Sequence, residues 1–292
     1  MSSALPVTHL PDDAIAGEEI PLGVLSELVR WVEASERAGA ESPAAHATIE
    51  GHLATLREAW PAMAGEDRAL LGALVTALVA RRPGPGDAVA APAGDTLAEA
   101  LARLGVRRLR PGQDRAIAAG LCGRDALVVM ATGSGKSLCY QAPAAVLDGL
   151  TVVVSPLIAL MTDQLAGLER AGIPAAALHS GLSDDEQRLA ITRARQGGLS
   201  LLYVAPERFH SSVFRRAMAE ARVALLVIDE AHCVSEWGHE FRPDYRRVGQ
   251  FRQELRPRAT MALTATATER VRADIVKRLG LASPLQITGG FD

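Results

Sequence analysis

From about residue 96 onward the chain alternates short apolar runs with longer stretches of helical character, and this constrains its fold more than any other feature. The runs are Ala126–Met130, Thr151–Ser155, Ala175–His179, Leu199–Val204, Ala224–Ile228 and Thr260–Leu263. Strand-length runs that are mostly apolar and alternate with helical stretches read as a parallel sheet with helices on both faces. Parallel neighbours need long crossovers, and the helical stretches between the runs supply them. The expected class is α/β, with a mostly parallel central sheet over residues 95–292. Ligands in such sheets sit at the carboxyl ends of the strands.

The first part of the chain has a different texture. Residues 1–20 are acidic, contain Pro6, Pro11 and Gly17, and read as a loose leader. Over 21–82 three amphipathic stretches follow, about Pro21–Ala38, Ala44–Trp60 and Glu66–Arg82. Their apolar residues recur at spacings of three and four, which predicts a small all-helical bundle with Trp31 and Trp60 in its core. Residues 83–94 are rich in Pro, Gly and Ala without periodicity and read as a linker. Asp95 or Thr96 then stands where a cap would begin a helix running through Arg103.

Charge divides the chain at the same place. Residues 1–95 carry a net of −8 and the remainder a net of +5. The acidic bundle is therefore expected to meet a protein partner or regulate its own chain, and the basic remainder suits a polyanion. The longest apolar runs, such as Leu70 to Ala80, fall short of the ~20 residues that cross a bilayer, and the N-terminus shows no basic segment ahead of an apolar one. No membrane partner is expected, and the expected location is the cytoplasm, in association with the nucleoid. Cys122, Cys139 and Cys233 show neither CxxC pairing nor histidines at finger-like spacing, so they read as packing residues.

Chemistry enters at two strand ends. Leu127–Met130 runs directly into Ala131-Thr-Gly-Ser-Gly-Lys-Ser137, with a helix expected from Lys136 or Ser137. Small residues let such a loop curl so that its amides and the helix N-terminus face phosphate oxygens. Thr132, Gly133, Ser134, Gly135, Lys136 and Ser137 are the expected phosphate-binding residues, with Lys136 at the β- and γ-phosphates and Ser137 on Mg²⁺. The general pattern has Gly where this chain has Met130. Farther on, Leu225-Leu-Val-Ile-Asp-Glu-Ala-His232 ends a buried strand in two carboxylates. Asp229 is expected to hold Mg²⁺ through its water shell, and Glu230 to orient or deprotonate an attacking water. ATP and Mg²⁺ are the expected cofactors.

These motifs belong to an ordered series. Leu109-Arg-Pro-Gly-Gln113, Met130 to Pro143 (MATGSGKSLCYQAP), Val154-Ser-Pro-Leu-Ile-Ala-Leu160 with Asp163-Gln164, Leu202-Tyr-Val-Ala-Pro-Glu-Arg208, Ile228 to Tyr245 (IDEAHCVSEWGHEFRPDY) and Met261-Ala-Leu-Thr-Ala-Thr-Ala267 follow one another. In this order they resemble motifs 0, I, Ia, Ib, II with an aromatic-rich loop, and III of the RecQ-like DNA helicases of superfamily 2. The resemblance covers approximately residues 96–292, and its most specific part is the aromatic-rich loop. It implies a RecA-like P-loop domain with Arg110 and Gln113 at the adenine edge and His232 coupling the ATP site to the motor, with Thr264 and Thr266. It further implies DNA contacts from Trp237, His239, Phe241 and Arg242. Catalytic roles thus fall to Lys136, Asp229, Glu230 and His232. The family unwinds DNA 3′ to 5′ with ATP hydrolysis, in repair and recombination. Two positions depart from it: the usual adenine-stacking aromatic is Val106, and the Phe before Arg-Pro-Gly-Gln is Leu109, so stacking on adenine is expected to be weaker. Because the sequence stops at Asp292, this chain is expected to carry the first of two RecA-like domains, the second normally supplying an arginine finger. A regulatory ATP- or DNA-binding module without unwinding activity is the alternative.

Overall fold

The computed structural model of the protein describes residues 97–238 and 241–288. The expected leader, helical bundle and linker, with the candidate caps Asp95 and Thr96, lie outside the described residues, as does His239.

Each expected strand is present within a residue or two of its expected bounds. They are β1 (Ala126–Val129), β2 (Leu150–Val154), β3 (Ala175–Leu178), β4 (Leu201–Val204), β5 (Val223–Ile228) and β6 (Ala259–Thr264). A seventh, β7 (Leu285–Thr288), pairs with β1 and was not foreseen. It is four residues long and alternates buried and exposed positions, as an edge strand does, so it lacks the continuous apolar run that marks the others. All pairings are parallel, in the order β3-β4-β2-β5-β6-β1-β7.

The connecting helices are α1 (Leu97–Arg103), α2 (Gln113–Cys122), α3 (Leu138–Val146), α4 (Ile158–Arg170), α5 (Asp184–Arg195), α6 (Ser212–Glu220), α7 (Val248–Leu255) and α8 (Glu269–Leu279). Because successive strand residues face opposite ways, two cores form. Val128, Val153, Val227 and Leu263 meet Ile117, Tyr140 and Leu168 on one face. Leu127, Val152, Leu226 and Ile228 meet Phe209, Phe214, Phe251 and Ile275 on the other. The three phenylalanines of this second core stack on one another, with Phe209 and Phe251 centroids 4.3 Å apart. Cys139 and Cys233 are buried and Cys122 half-buried, all as free thiols.

Register fixes where the loops emerge. Val129 lies beside Thr264, and Ile228 beside Ala262. Beyond the strands, Met130 N donates to Thr264 O (3.1 Å), Asp229 N to Val154 O (2.9 Å) and Ser155 N to Val204 O (3.1 Å). The motifs after β1, β2, β5 and β6 therefore leave one edge of the sheet at one level.

Candidate nucleotide site and nucleic-acid interface

Between β1 and α3 the chain forms an open loop. Met130, where the general pattern has Gly, packs its side chain into the core, so the loop begins at Ala131. Gly133 and Gly135 have φ of 77° and 86°, a region that only glycine adopts without strain. At Gly135 a Cβ would also stand 2.6 Å from Gln113 Nε2. Lys136 Nζ donates to the carbonyls of Met130 (3.0 Å) and Ala131 (3.2 Å), which places its ammonium inside the loop. The Ser134 hydroxyl is buried with no hydrogen-bond partner among the described residues. The space beside the Gly133 Cα, where a side chain would stand, is open. Ser137 caps α3. A lined cradle, an inward cation and a helix N-terminus fit a nucleotide's phosphates.

Arg110 and Gln113 stand behind this loop. Gln113 is 2% exposed. Its Nε2 donates to Ser134 O (3.1 Å) and Gly135 O (3.0 Å), and its Oε1 accepts from Arg110 N (2.7 Å). Arg110 Nη1 donates to Gly133 O (2.6 Å). Both donors of the Gln113 amide are thus used within the protein, and its oxygen has a second acceptor lone pair beyond the one that meets Arg110 N. Val106 is half-buried against the core, and Leu109 is buried.

Asp229 and Glu230 diverge at the end of β5. The Asp229 carboxyl is pushed up to about 6, first by burial and then by the Glu230 charge. The Glu230 amide (3.0 Å to Oδ1), Lys136 and Ser155 work in the opposite direction. Ser155 stands beside Asp229 at the end of β2. Tyr245, whose hydroxyl donates to Asp229 O (3.2 Å), is a site residue with no role assigned from sequence, and only its place at the end of the Ile228–Tyr245 motif hinted at one. Glu230 takes left-handed backbone angles, φ 47° and ψ 48°. His232 Nδ1 lies 2.9 Å from Thr264 Oγ1 and 3.3 Å from Glu230 Oε2. Thr264 Oγ1 donates its one proton to Thr266 O (3.1 Å), so the arrangement that satisfies both bonds has His232 Nδ1 as donor. The imidazole is held well above the ordinary histidine range, first by its hydrogen bond with the Cys233 side chain and next by that with Glu230. His232 thus contacts Thr264 directly, and Thr264 in turn contacts Thr266.

The loop after Val234 carries Trp237, Phe241 and Arg242. Trp237 is 57% exposed, whereas Phe241 and Arg242 are half-buried. The Arg246 guanidinium lies 5.1 Å from the Phe241 ring centroid. Gly238 is required by packing, since a Cβ there would stand 2.4 Å from His232 O. Sequence reasoning missed the partners of this loop on α8. Ser235 Oγ donates to Asp274 (2.7 Å), Arg278 reaches Glu236 (3.4 Å), and Arg270 covers Trp237.

The DEAD/DEAH box helicase family matches residues 110–275. The chain is 46% identical over 188 residues to the ATP-dependent DNA helicase RecQ of Pasteurella multocida (strain Pm70), covering 64% of this chain and 30% of that protein. With the ATP-dependent DNA helicase RecQ of Bacillus subtilis (strain 168) it shares 44% identity over 189 residues, covering 64% of this chain and 32% of the relative. The chain thus spans about a third of the length of these relatives. In fold it is similar to the crystal structure of a hypothetical ATP-dependent RNA helicase from Sulfolobus tokodaii, with a TM-score of 0.53 and 22% identity over 66% of this chain and 56% of that one. With its P-loop, its Asp229-Glu230 pair and its aromatic-rich loop at one sheet edge, the chain belongs to the DEAD/DEAH box helicase family, as a RecQ-like member of superfamily 2.

Proposed function

We propose that this chain is the ATP-binding motor domain of an ATP-dependent DNA helicase that moves 3′ to 5′ on single-stranded DNA, in repair or recombination. The observation that carries the reading is the contact chain from Glu230 through His232 to Thr264, set beside a P-loop whose lysine already faces inward. In this reading Lys136 and the loop amides bind the phosphates, and Ser137 and Asp229 hold Mg²⁺. The metal, when bound, supplies charge neutralisation at those phosphates. Glu230 aligns and deprotonates a water, and His232 holds Glu230 relative to Thr264. Trp237, Phe241 and Arg242, with His239 of the same loop, meet the DNA. Base stacking on an aromatic contributes ~1–3 kcal/mol per base.

A second RecA-like domain facing the same sheet edge would add an arginine finger, worth roughly 10³–10⁵ in rate. The 292-residue chain alone is therefore expected to bind Mg·ATP, hydrolyse it slowly and unwind duplex poorly. The acidic residues 21–82 would dock a protein partner. The test compares single-stranded-DNA-stimulated ATPase activity of the purified chain with that of Lys136→Ala. Stimulation lost in the variant is the expected outcome. No stimulation at any ATP concentration would favour a regulatory binding module instead.

A further inference from the structure

The first turn of α8 places a cation on the aromatic-rich loop. The Arg270 guanidinium carbon lies 3.4 Å from the Trp237 ring centroid, so one face of the indole is covered. Trp237 nevertheless keeps 57% of its surface exposed, which leaves the opposite face and the ring edge to solvent. Arg270 is itself exposed, and its donors meet no acceptor among the described residues.

The pair is held from below. Residues 270, 274 and 278 repeat every four positions, so they form one stripe along α8. Asp274 Oδ2 accepts from Ser235 Oγ (2.7 Å) and from Arg278 Nε (2.9 Å), while Arg278 Nη1 reaches Glu236 (3.4 Å). Ser235 Oγ also accepts from Trp237 N (3.2 Å). At the base of the loop Arg242 N donates to Cys233 O (3.2 Å). The loop backbone is thus fastened to α8 one helical turn from Arg270. The other two members of the stripe are engaged in that fastening, and Arg270 alone of the three has its donors available.

We propose that Arg270 is a nucleic-acid contact: Trp237 and Arg270 form a composite platform in which a base stacks on the open indole face and the guanidinium edge bonds a phosphate of the same strand. A planar guanidinium can stack and donate at once, which an ammonium cannot. The inference rests on Trp237 being a base-stacking residue, and it extends the DNA surface from the aromatic-rich loop onto the helix that follows Thr264 and Thr266.

The test measures binding of a labelled oligothymidylate to the 292-residue chain by fluorescence anisotropy over a salt series, for wild type, Arg270→Gln and Trp237→Ala. A phosphate contact on single strands contributes about 0.7 to the slope of log K against log salt. Arg270→Gln is expected to weaken binding about fivefold or more and to reduce that slope by about 0.7. Trp237→Ala is expected to weaken binding with the slope unchanged, because stacking releases no counterions. If Trp237→Ala weakens binding but Arg270→Gln leaves affinity and slope alone, or tightens binding, the platform is overturned while the loop's DNA role stands. Affinity lost without a change in slope would make Arg270 a prop for the ring and would equally overturn the phosphate contact. If Trp237→Ala binds like wild type, the underlying DNA reading of the loop fails.

Discussion

Gln113 offers a direct way to ask how this site recognises its ligand, because its side chain is bonded to the phosphate loop. Replacing it with alanine removes two donations, to Ser134 O and Gly135 O, and one acceptance, from Arg110 N. Each such bond contributes ~1 kcal/mol net, or about 3 kcal/mol together. Gly135 is exposed and Ser134 half-buried, so water can satisfy part of what is lost, and about 2 kcal/mol remains. If the clamp holds the loop in its cradle shape, the binding-competent fraction falls by up to about thirtyfold. The assay is calorimetric titration of Gln113→Ala with Mg·ATP and, separately, with inorganic tripolyphosphate. Preorganisation of the loop predicts that both ligands weaken by a similar factor. Weaker ATP binding with unchanged tripolyphosphate binding would refute this reasoning and place Gln113 on the base.

Two further outcomes follow from parts of the fold away from the site. Asp125 accepts from Thr260 N (2.7 Å) and Arg252 Nη2 (2.7 Å) with its side chain largely buried, so Asp125→Ala leaves a half-buried cation short of its partner. The expected loss is about 3 kcal/mol, or roughly 6–12 °C in melting temperature by circular dichroism, and a drop below about 2 °C would contradict it. Glu186 closes a capping box on Ser183 at the start of α5, and hydrogen bonds from Ser183 hold its carboxyl below the usual value. A lowered carboxylate contributes stability above its unfolded pKa and loses it as pH falls through the folded value. An NMR titration should therefore find the Glu186 midpoint below that of an ordinary glutamate and returning toward it in Ser183→Ala; an unshifted midpoint in the wild-type chain would count against the box.

What the sequence makes legible here is what is local. The P-loop and the Asp229-Glu230 pair could be placed because each follows a run of buried residues directly, and a strand, a loop and a helix start are set by neighbours in the chain. β7 was illegible because Leu285-Gln-Ile-Thr288 is too short and too evenly alternating to stand out. The hydrogen-bonding capacity of Gln113 could be read from its amide, but not its choice of acceptors, which depends on how α2 packs behind the loop 21 residues away. The stripe of Arg270, Asp274 and Arg278 looks in sequence like an ordinary charged helix face. Its partners Ser235, Glu236 and Trp237 stand more than thirty positions earlier, and nothing local links them.

The two adjacent carboxylates acquire different environments through one backbone feature. In a regular strand, residues 229 and 230 would point to opposite faces of the sheet and lie far apart in function. The left-handed angles of Glu230 instead end β5 abruptly, and the following turn of helix folds back, with Cys233 N on Glu230 O (2.9 Å). Such a conformation costs a non-glycine residue ~1–2 kcal/mol. Burial of Ala231, Cys233 and Val234, together with the Tyr245 hydroxyl on Asp229 O, offsets it. Asp229 is left in the sheet end, where burial raises its pKa and Lys136 and Ser155 favour its charge. Glu230 is turned toward His232 and, through it, toward Thr264. A site that holds a metal with one carboxylate and directs a water with the other needs this divergence. The strain at Glu230 therefore has a use in the proposed chemistry, and the same turn leads directly into the loop that carries Trp237.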